Sequence, residues 1–322
     1  MKIETPRGKL RVYGMGGCGI NITQFFLNAE EEPNCALIKT GFVDTSRSNF
    51  KGDYNDEDVF VLPDTDGSGK IRATNYEDIT NVTKQILHQI PPLDFNIVVF
   101  SLSGGSGSVS AALVISELLE RDIPVVAIGV GSSESKIEAE NSIKSLKTLD
   151  SIAKKHDKPV VMYYEHNSRG RQDVDISVRV AISSLAVLTS RRNREMDSQD
   201  IYHWLNFNKT TTIKPQLAQL EIINSSEDGK HIKDPISVAS IYSSEEITPA
   251  ELNPDYHTAG YLDEAKEKFE QLHFVISVDA IPSIYKKDKE ILEKFNERTV
   301  SRAKQISVFD EHDKPTDEGV LL

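Results

Sequence analysis

Hydrophobic and polar positions alternate between two rhythms through the first half of the chain. Short, nearly unbroken apolar runs fall at Leu10-Arg11-Val12-Tyr13, Ala36 to Asp44, Val59 to Leu62, Phe95 to Leu102, Pro124 to Val130 and Pro159 to Tyr164. Between them lie stretches with helical spacing: Ile20 to Asn28, Tyr76 to Ile90, a segment ending near Glu120, and about Glu134 to Lys155. Pro91-Pro92 cannot continue the second of these helices. Strands apolar on both faces, separated by helices, predict a parallel sheet covered on each side. The expected class is α/β, a doubly wound parallel-sheet domain.

The pattern then changes. From Asp173 to Thr189, Val174, Val178, Ala181, Ile182, Leu185 and Leu188 recur at helical spacing, and Ile176, Val180 and Val187 fill other faces. A helix apolar nearly all round is expected to be buried on most sides, here as a long central helix between two domains. Beyond it, strands are predicted at Leu217 to Ile223, Ile236 to Tyr242 and Leu272 to Val278. A helix is predicted from Asp263 to Gln271, a polar loop from Asn224 to Asp234, and a long final helix from Tyr285 to Ile306. This divides the chain into a doubly wound domain (1–171), a central helix (172–190), a smaller α/β C-terminal domain (191–283), and a C-terminal helix with an acidic tail (284–322).

Composition narrows the function. The 322 residues are 38% hydrophobic, enough for a sizeable core, and carry a net charge of −13. That balance argues against general nucleic-acid binding, which needs a basic face to displace counterions. Cys18 and Cys35 form no metal-spaced cluster and fit a reducing compartment. The opening residues lack an apolar signal segment, and no apolar run approaches the ~20 residues of a membrane span. A cytoplasmic protein without membrane partners is expected. Between Lys286 and Lys304 there are seven basic and four acidic residues, after which Asp310, Glu311, Asp313, Asp317 and Glu318 face only Lys314. A basic helix followed by an acidic tail can pair between subunits.

Two loops carry the candidate chemistry. Gly14-Met15-Gly16-Gly17-Cys18-Gly19 follows the first strand and opens a helix, where glycines admit phosphate close to unpaired N–H groups. Alone, Gly14, Gly16 and Gly19 would suit a dinucleotide site with Asp44 as ribose contact, hence a nicotinamide-dependent oxidoreductase. The second loop, Ser101-Leu102-Ser103-Gly104-Gly105-Ser106-Gly107-Ser108, also joins an apolar strand to a helix. Successive N–H groups in such a loop make a concave anion site. Two of them point to an extended polyphosphate rather than a dinucleotide. Asp64-Thr65-Asp66-Gly67-Ser68-Gly69-Lys70 begins like a calcium loop, but the twelfth position is Asn75 rather than a bidentate Glu, and calcium is rejected.

Gly16-Gly17-Cys18-Gly19-Ile20-Asn21 and Gly104-Gly105-Ser106-Gly107-Ser108 resemble the two phosphate loops of the tubulin/FtsZ superfamily. Ser103, Ser106 and Val109 depart from that family's usual second loop, Ser106 keeping a hydroxyl. The resemblance spans roughly residues 8–210 and implies a GTP/GDP site with Mg²⁺. It places Gly16, Gly17, Cys18, Asn21, Gly104, Gly105, Ser106, Gly107 and Ser108 at the phosphates. Asp44 falls near phosphate or ribose, and Asp66, Gly67 and Ser68 fall in the loop that senses the γ-phosphate. Asn167, Gln172 and Asp173 fall at the guanine base, with helix capping by Asp173 as the plainer role.

Glu195-Met196-Asp197-Ser198-Gln199-Asp200-Ile201 resembles the family's acidic synergy loop, with Asp197 and Asp200 at its two acidic positions and Glu195 in place of Asn. The resemblance implies that these carboxylates act on the next subunit's nucleotide in a head-to-tail filament. An N-terminal helix cap is the plainer reading. The compact core and short acidic tail look most like the phage-encoded tubulins, which implies a dynamic filament positioning viral DNA in a bacterial host, with the tail contacting a neighbouring subunit. A plasmid-partitioning or cell-division homologue is the close alternative, and a non-hydrolysing nucleotide-binding scaffold another.

Overall fold

The structure is a computed structural model and describes residues 6–225, 231–245, 247, 252–262 and 269–303. The first half alternates strand and helix: β1 (Lys9–Met15), α1 (Gly16–Thr23), β2 (Leu37–Asp44), β3 (Val59–Val61), α2 (Tyr76–Gln89), β4 (Phe95–Ser101), α3 (Ser106–Glu120), β5 (Val125–Gly131), α4 (Lys136–His156) and β6 (Val160–His166). The central helix α5 (Arg171–Leu188) follows, then β7 (Asn193–Arg194), α6 (Ser198–Leu205), β8 (Leu217–Ile223), β9 (Ser237–Tyr242), β10 (Tyr256–Leu262), β11 (Gln271–Ser277) and α7 (Ala280–Ala303).

Among the described residues, all eleven strands join one sheet, in the order β3-β2-β1-β4-β5-β6-β8-β11-β9-β10-β7. The strands from β3 through β6 are parallel, as their unbroken apolar runs predict. The period of two in each strand sorts side chains onto opposite faces. In β4, Phe95, Ile97 and Val99 enter a core shared with α1 and α5, whereas Val98 and Phe100 enter a second core shared with α2, α3 and α4. The final helix α7 joins that second core through Ile281, Ile284 and Tyr285. The ammonium groups of Lys147 and Lys289 lie 5.7 and 5.5 Å from the centre of the Tyr285 ring. No helix among the described residues is long and apolar enough to cross a membrane.

Several expectations need correction. Helix α5 is not buried on most sides: Val174, Val178, Ile182 and Leu185 face the sheet, but Ile176 and Val180 are 56% and 60% exposed. Between them in the sequence, Arg179 sets its guanidinium 4.7 Å from the ring centre of exposed Phe25. The first helix begins at Gly16 rather than Ile20 and gives way to a 3₁₀ turn at Gln24–Phe26. Gly16 enters it with φ +66°, which only glycine adopts cheaply. The final helix starts at Ala280, because Pro282 is tolerated in a first turn where no N–H is needed. Strand β10 was not foreseen: it pairs parallel with β9 and antiparallel with β7. Most of the helix expected at 263–271 lies outside the described residues, and Gln271 already begins β11. The acidic tail also lies outside them.

The C-terminal strands hold a buried polar line. His273 on β11 is fully buried, its Nδ1 lying 2.8 Å from Ser240 Oγ, which also lies 3.0 Å from His257 Nε2. Burial, with His257 adding, lowers the His273 imidazole to about 4. The unfolded chain therefore binds a proton near pH 6.5 that the folded chain refuses. This stability is complete above pH 6.5 and is lost as pH falls from there towards 4. We expect His273→Gln to lose less melting temperature than the wild type between pH 7 and pH 5, by a few degrees, in thermal circular dichroism.

Candidate functional site

The sheet reverses its winding between β1 and β4. Strand β1 pairs with β2 on one side and with β4 on the other, Met15 lying opposite Phe100. Crossovers leave this point in opposite directions, so the loops ending β1 and β4 open a crevice at the carboxyl edge of the sheet. Both glycine-rich loops sit here, and they touch. A methyl group on Gly16 would lie 3.0 Å from the Gly107 Cα, and one on Gly107 would meet both Gly16 Cα and the Met15 carbonyl at 3.0 Å. Helices α1 and α3 start from these loops, and neither is capped by the side chain of its own N-cap residue, Met15 or Gly105. The amino ends of two helices thus converge on one crevice, a setting suited to several phosphate oxygens, with the first N–H of α3, at Ser106, held by Ser68 Oγ.

Gly14 and Gly19 serve packing instead. A methyl on Gly19 would lie 2.1 Å from the Val99 carbonyl oxygen, and one on Gly14 would lie 2.8 Å from the Gly19 carbonyl oxygen. They bring α1 against the sheet. Gly17 faces the Asn49 side chain, which in turn donates from Nδ2 to Asp44 Oδ2 at 2.7 Å. The other Asp44 oxygen accepts from Thr45 N at 2.7 Å. Asp44 is buried, and burial raises its carboxyl above the usual range, against those hydrogen bonds. Asp44 therefore orients Asn49 and the turn at Thr45, each of its oxygens accepting one of these two bonds.

The loop at 64–70 is tied to the turn after β2 and to the second glycine-rich loop. Ser46 Oγ donates to Asp66 Oδ1 at 2.9 Å, and Gly67 N donates to the Thr45 carbonyl at 3.1 Å. Ser68 Oγ accepts from Ser106 N at 3.0 Å, and Gly105 passes so close that a methyl there would strike Ser68 and the Lys70 backbone. The buried Asn75 donates to the Gly67 carbonyl at 2.9 Å and to Ser106 Oγ at 3.0 Å. Lys70 pairs with the largely buried Glu138 at 2.5 Å. Arg72 donates to Ser108 Oγ and Ser145 Oγ, each at 2.6 Å, while Ser108 Oγ also bonds the Gly104 and Gly105 carbonyls. A change at this loop is thus felt directly at the first turn of α3. Asn75 and Arg72 escape a sequence reading because their partners Ser106, Ser108 and Ser145 lie far away along the chain, and Asn49 because its bond to the nearby Asp44 follows no helix or strand spacing.

The opposite end of the crevice is formed by α1 and the start of α5. Asn167, half-buried, opens a 3₁₀ turn at Asn167–Arg169, and Gln172 and Asp173 stand exposed on the first turn of α5. Asp173 makes no capping bond at the N-cap, Gly170. Asn21 reaches across from α1 and donates from Nδ2 to Asp175 Oδ2 at 2.9 Å. Nearby, burial and the Asp175 carboxylate push the Cys18 thiol up to about 12, with Arg171 pulling the other way. Cys18 is therefore a poor thiolate and serves as a packed element of the loop.

The acidic pair lies elsewhere. Asp197 is the N-cap of α6, its Oδ1 accepting from Gln199 N at 2.7 Å and Asp200 N at 3.1 Å, while Asp200 Oδ2 accepts from Asp197 N at 2.9 Å. This reciprocal capping box holds both side chains in place. Tyr256 donates to Asp200 Oδ1 at 3.4 Å, and burial with the nearby Asp200 and Asp197 carboxylates pushes that phenol up to about 12. Asp197 lines a cleft with Asp94, Phe95 and Pro124, at the amino ends of β4 and β5. The glycine-rich loops leave the carboxyl ends of those parallel strands. Seven residues of β4 separate the two edges by roughly 20 Å, so the carboxylates do not meet the loops of their own chain.

Residues 9–161 match the family model described as Tubulin/FtsZ family, GTPase domain, and residues 196–281 match Phage tubulin-like protein, C-terminal domain. The phage tubulin-like protein of Pseudomonas phage PhiPA3 is 33% identical, covering 98% of this chain and 99% of its own. That of Pseudomonas phage phiKZ is 30% identical, covering 98% of each. Among solved structures, the protofilament of TubZ from bacteriophage PhiKZ aligns with a TM-score of 0.87 at 30% identity, over 98% of this chain and 99% of that one. The GDP complex of the phage tubulin PhuZ aligns with a TM-score of 0.87 at 25% identity, over 98% of this chain and all of the other. Identity on this scale over the whole length, on a fold that places both glycine-rich loops at one switch point, shows that the chain belongs to the tubulin/FtsZ family and, within it, to the phage tubulin-like proteins.

Proposed function

We propose that this chain binds GTP across the β1/β4 switch point and hydrolyses it where two copies stack head to tail. One observation carries the reading: the phosphate-suited loops and the acidic pair occupy opposite edges of the same parallel strands. A single subunit cannot unite them, whereas a stack that places the amino edge of one sheet on the carboxyl edge of the next does so at every junction. Stacking that does not close on itself gives an open filament, in keeping with the protofilament solved for the phiKZ relative.

In this reading, the two glycine-rich loops hold the phosphates through Gly16, Gly17 and Cys18 and through Gly104 to Ser108, with the Ser106 N–H held by Ser68 Oγ. The 64–70 loop, tied to Ser106 through Ser68 and Asn75, answers to the terminal phosphate through Asp66, Gly67 and Ser68. Asn167, Gln172 and Asp173 take the base. Mg²⁺ would be held mainly by phosphate oxygens and water, as is usual for that ion, and would neutralise their charge. Asp197 and Asp200 of the neighbouring copy would orient the attacking water. Hydrolysis then weakens the junction that made it possible. The filament would serve as a cytoskeletal element, with DNA positioning in a host cell as its role.

The oxidoreductase alternative leaves the second glycine-rich loop and the acidic pair at 197 and 200 without a role. Light scattering tests the proposal. Assembly is expected with GTP and with a non-hydrolysable analogue, followed by disassembly only as GTP is consumed. Saturable NAD binding without GTP binding, or assembly indifferent to nucleotide, would overturn it.

A further inference from the structure

Arg72 carries a positive charge to the back of the second glycine-rich loop. Its Nη1 donates to Ser108 Oγ on α3 and to Ser145 Oγ on α4, each at 2.6 Å, and its Nη2 lies 3.5 Å from Thr148 Oγ1. All three partners are neutral hydroxyls, and among the described residues no carboxylate pairs with Arg72. The neighbouring lysines differ: Lys70 is paired with Glu138 at 2.5 Å, and Lys144 lies 3.9 Å from Glu140. Burial pulls the Arg72 guanidinium below its usual range. These bonds have a direction, because a guanidinium only donates and a hydroxyl has one proton. Ser108 and Ser145 accept from Arg72 and turn their own protons onto backbone carbonyls. Ser108 meets those of Gly104 and Gly105 at 2.9 and 2.8 Å, and Ser145 meets that of Leu102 at 2.7 Å. Both hydroxyl residues are buried, and hydrogen bonds chained in such surroundings polarise one another. The Leu102 and Gly104 carbonyls share peptide groups with the N–H groups of Ser103 and Gly105. Two hydroxyls thus pass the charge of Arg72 into the backbone of the loop.

We propose that Arg72 is a positioning residue that supplies the second glycine-rich loop with positive charge for a terminal phosphate, and so favours a nucleoside triphosphate over the diphosphate. The proposal rests on the GTP reading above. Backbone N–H groups bring partial charges only, whereas a whole charge held behind them acts on every phosphate oxygen in the crevice. The terminal phosphate adds negative charge to the ligand, so a fixed cation attracts the triphosphate more strongly than the diphosphate. Half-burial of Arg72 limits screening by solvent. Arg72 also lies two residues beyond the 64–70 loop and fastens its far end to α3 and α4. Arg72 itself need not touch the nucleotide.

Displacement of a fluorescent guanine nucleotide by GTP and by GDP tests this, on the full chain with Mg²⁺ and below the concentration at which it assembles. Arg72→Gln keeps an amide donor for one hydroxyl and removes the charge. Its GTP affinity should fall about tenfold, equivalent to about 1.4 kcal/mol, while its GDP affinity changes by less than about threefold. Arg72→Lys keeps the charge but loses the planar fork that spans two hydroxyls, and it should recover most of the GTP affinity. Equal weakening for both nucleotides, an unchanged GTP affinity in Arg72→Gln, or Gln and Lys variants that behave alike would overturn the proposal. A merely structural strut moves both affinities together and does not answer to charge. An absence of saturable GTP binding by wild type would overturn the GTP reading itself, and this proposal with it.

Discussion

Asp200→Asn is expected to slow GTP hydrolysis by about a hundredfold or more, a loss of about 2.7 kcal/mol of transition-state stabilisation, while leaving assembly in place. Asparagine is the informative choice because Asp200 has two roles. Its Oδ2 caps α6 by accepting from Asp197 N, and its Oδ1 receives Tyr256. An asparagine retains a carbonyl oxygen for the Asp197 N–H, and its NH₂ group can donate to the Tyr256 hydroxyl. The helix start survives and the charge is lost. Alanine would remove the cap as well, at about 1 kcal/mol, and would confuse a frayed helix with lost chemistry. Phosphate release from polymer at matched nucleotide occupancy is the measurement. A wild-type rate in Asp200→Asn would show that the carboxylate is only a cap, and the head-to-tail active site would lose its main support.

Gly19→Ala should destabilise the fold by about 3 kcal/mol, at the upper end of what overpacking usually costs. The added methyl would lie 2.1 Å from the Val99 carbonyl oxygen, and neither α1 nor β4 can rotate a side chain to relieve it, since the clash is with backbone. Helix α1 must lift from the sheet. At roughly 1.5 °C per kcal/mol for 322 residues, from about 2.1 cal/mol/K of unfolding entropy per residue, the melting temperature should fall by about 4–5 °C. Gly67→Ala supplies the contrast. Nothing lies within 4 Å of its added methyl, so only the positive φ of +77° is costly, roughly 1–2 kcal/mol. Calorimetry of the two variants compares a clash with a dihedral. Equal, small effects would mean that α1 sits less tightly on β4 than the glycines require.

Much of the nucleotide-binding half was legible in the chain, because its signals are local. A strand buried on both faces must be apolar throughout, and that pattern identified β1, β2, β4, β5 and β6 to within a few residues. A loop approaching phosphate must be small and rich in N–H groups, and that composition marked both loops at the crevice. The weaker expectations share a cause. Ile176 and Val180 looked buried because apolar residues on α5 were counted without knowing that the sheet covers only one of its sides. Strand β10 alternates only loosely, and its place depends on β7 and β9. Gly14 and Gly19 fit a dinucleotide pattern by spacing, yet their neighbours show that they permit close packing.

The acidic pair marks the division most clearly. From the sequence alone came the residue types, their spacing of three, and a choice between helix cap and chemistry. The fold made them a reciprocal cap and set them at the amino edge of strands whose carboxyl edge bears the glycine-rich loops. Local propensity and hydrophobic pattern act over a few residues, so the sequence by itself determined the strands, the helices and the chemistry of the loops. Only tertiary structure decided which distant groups meet, including Asn21 with Asp175, Asn75 with Ser106 and Arg72 with Ser108. Such pairings depend on where the sheet's winding reverses and which face each helix covers, which no short stretch of residues encodes.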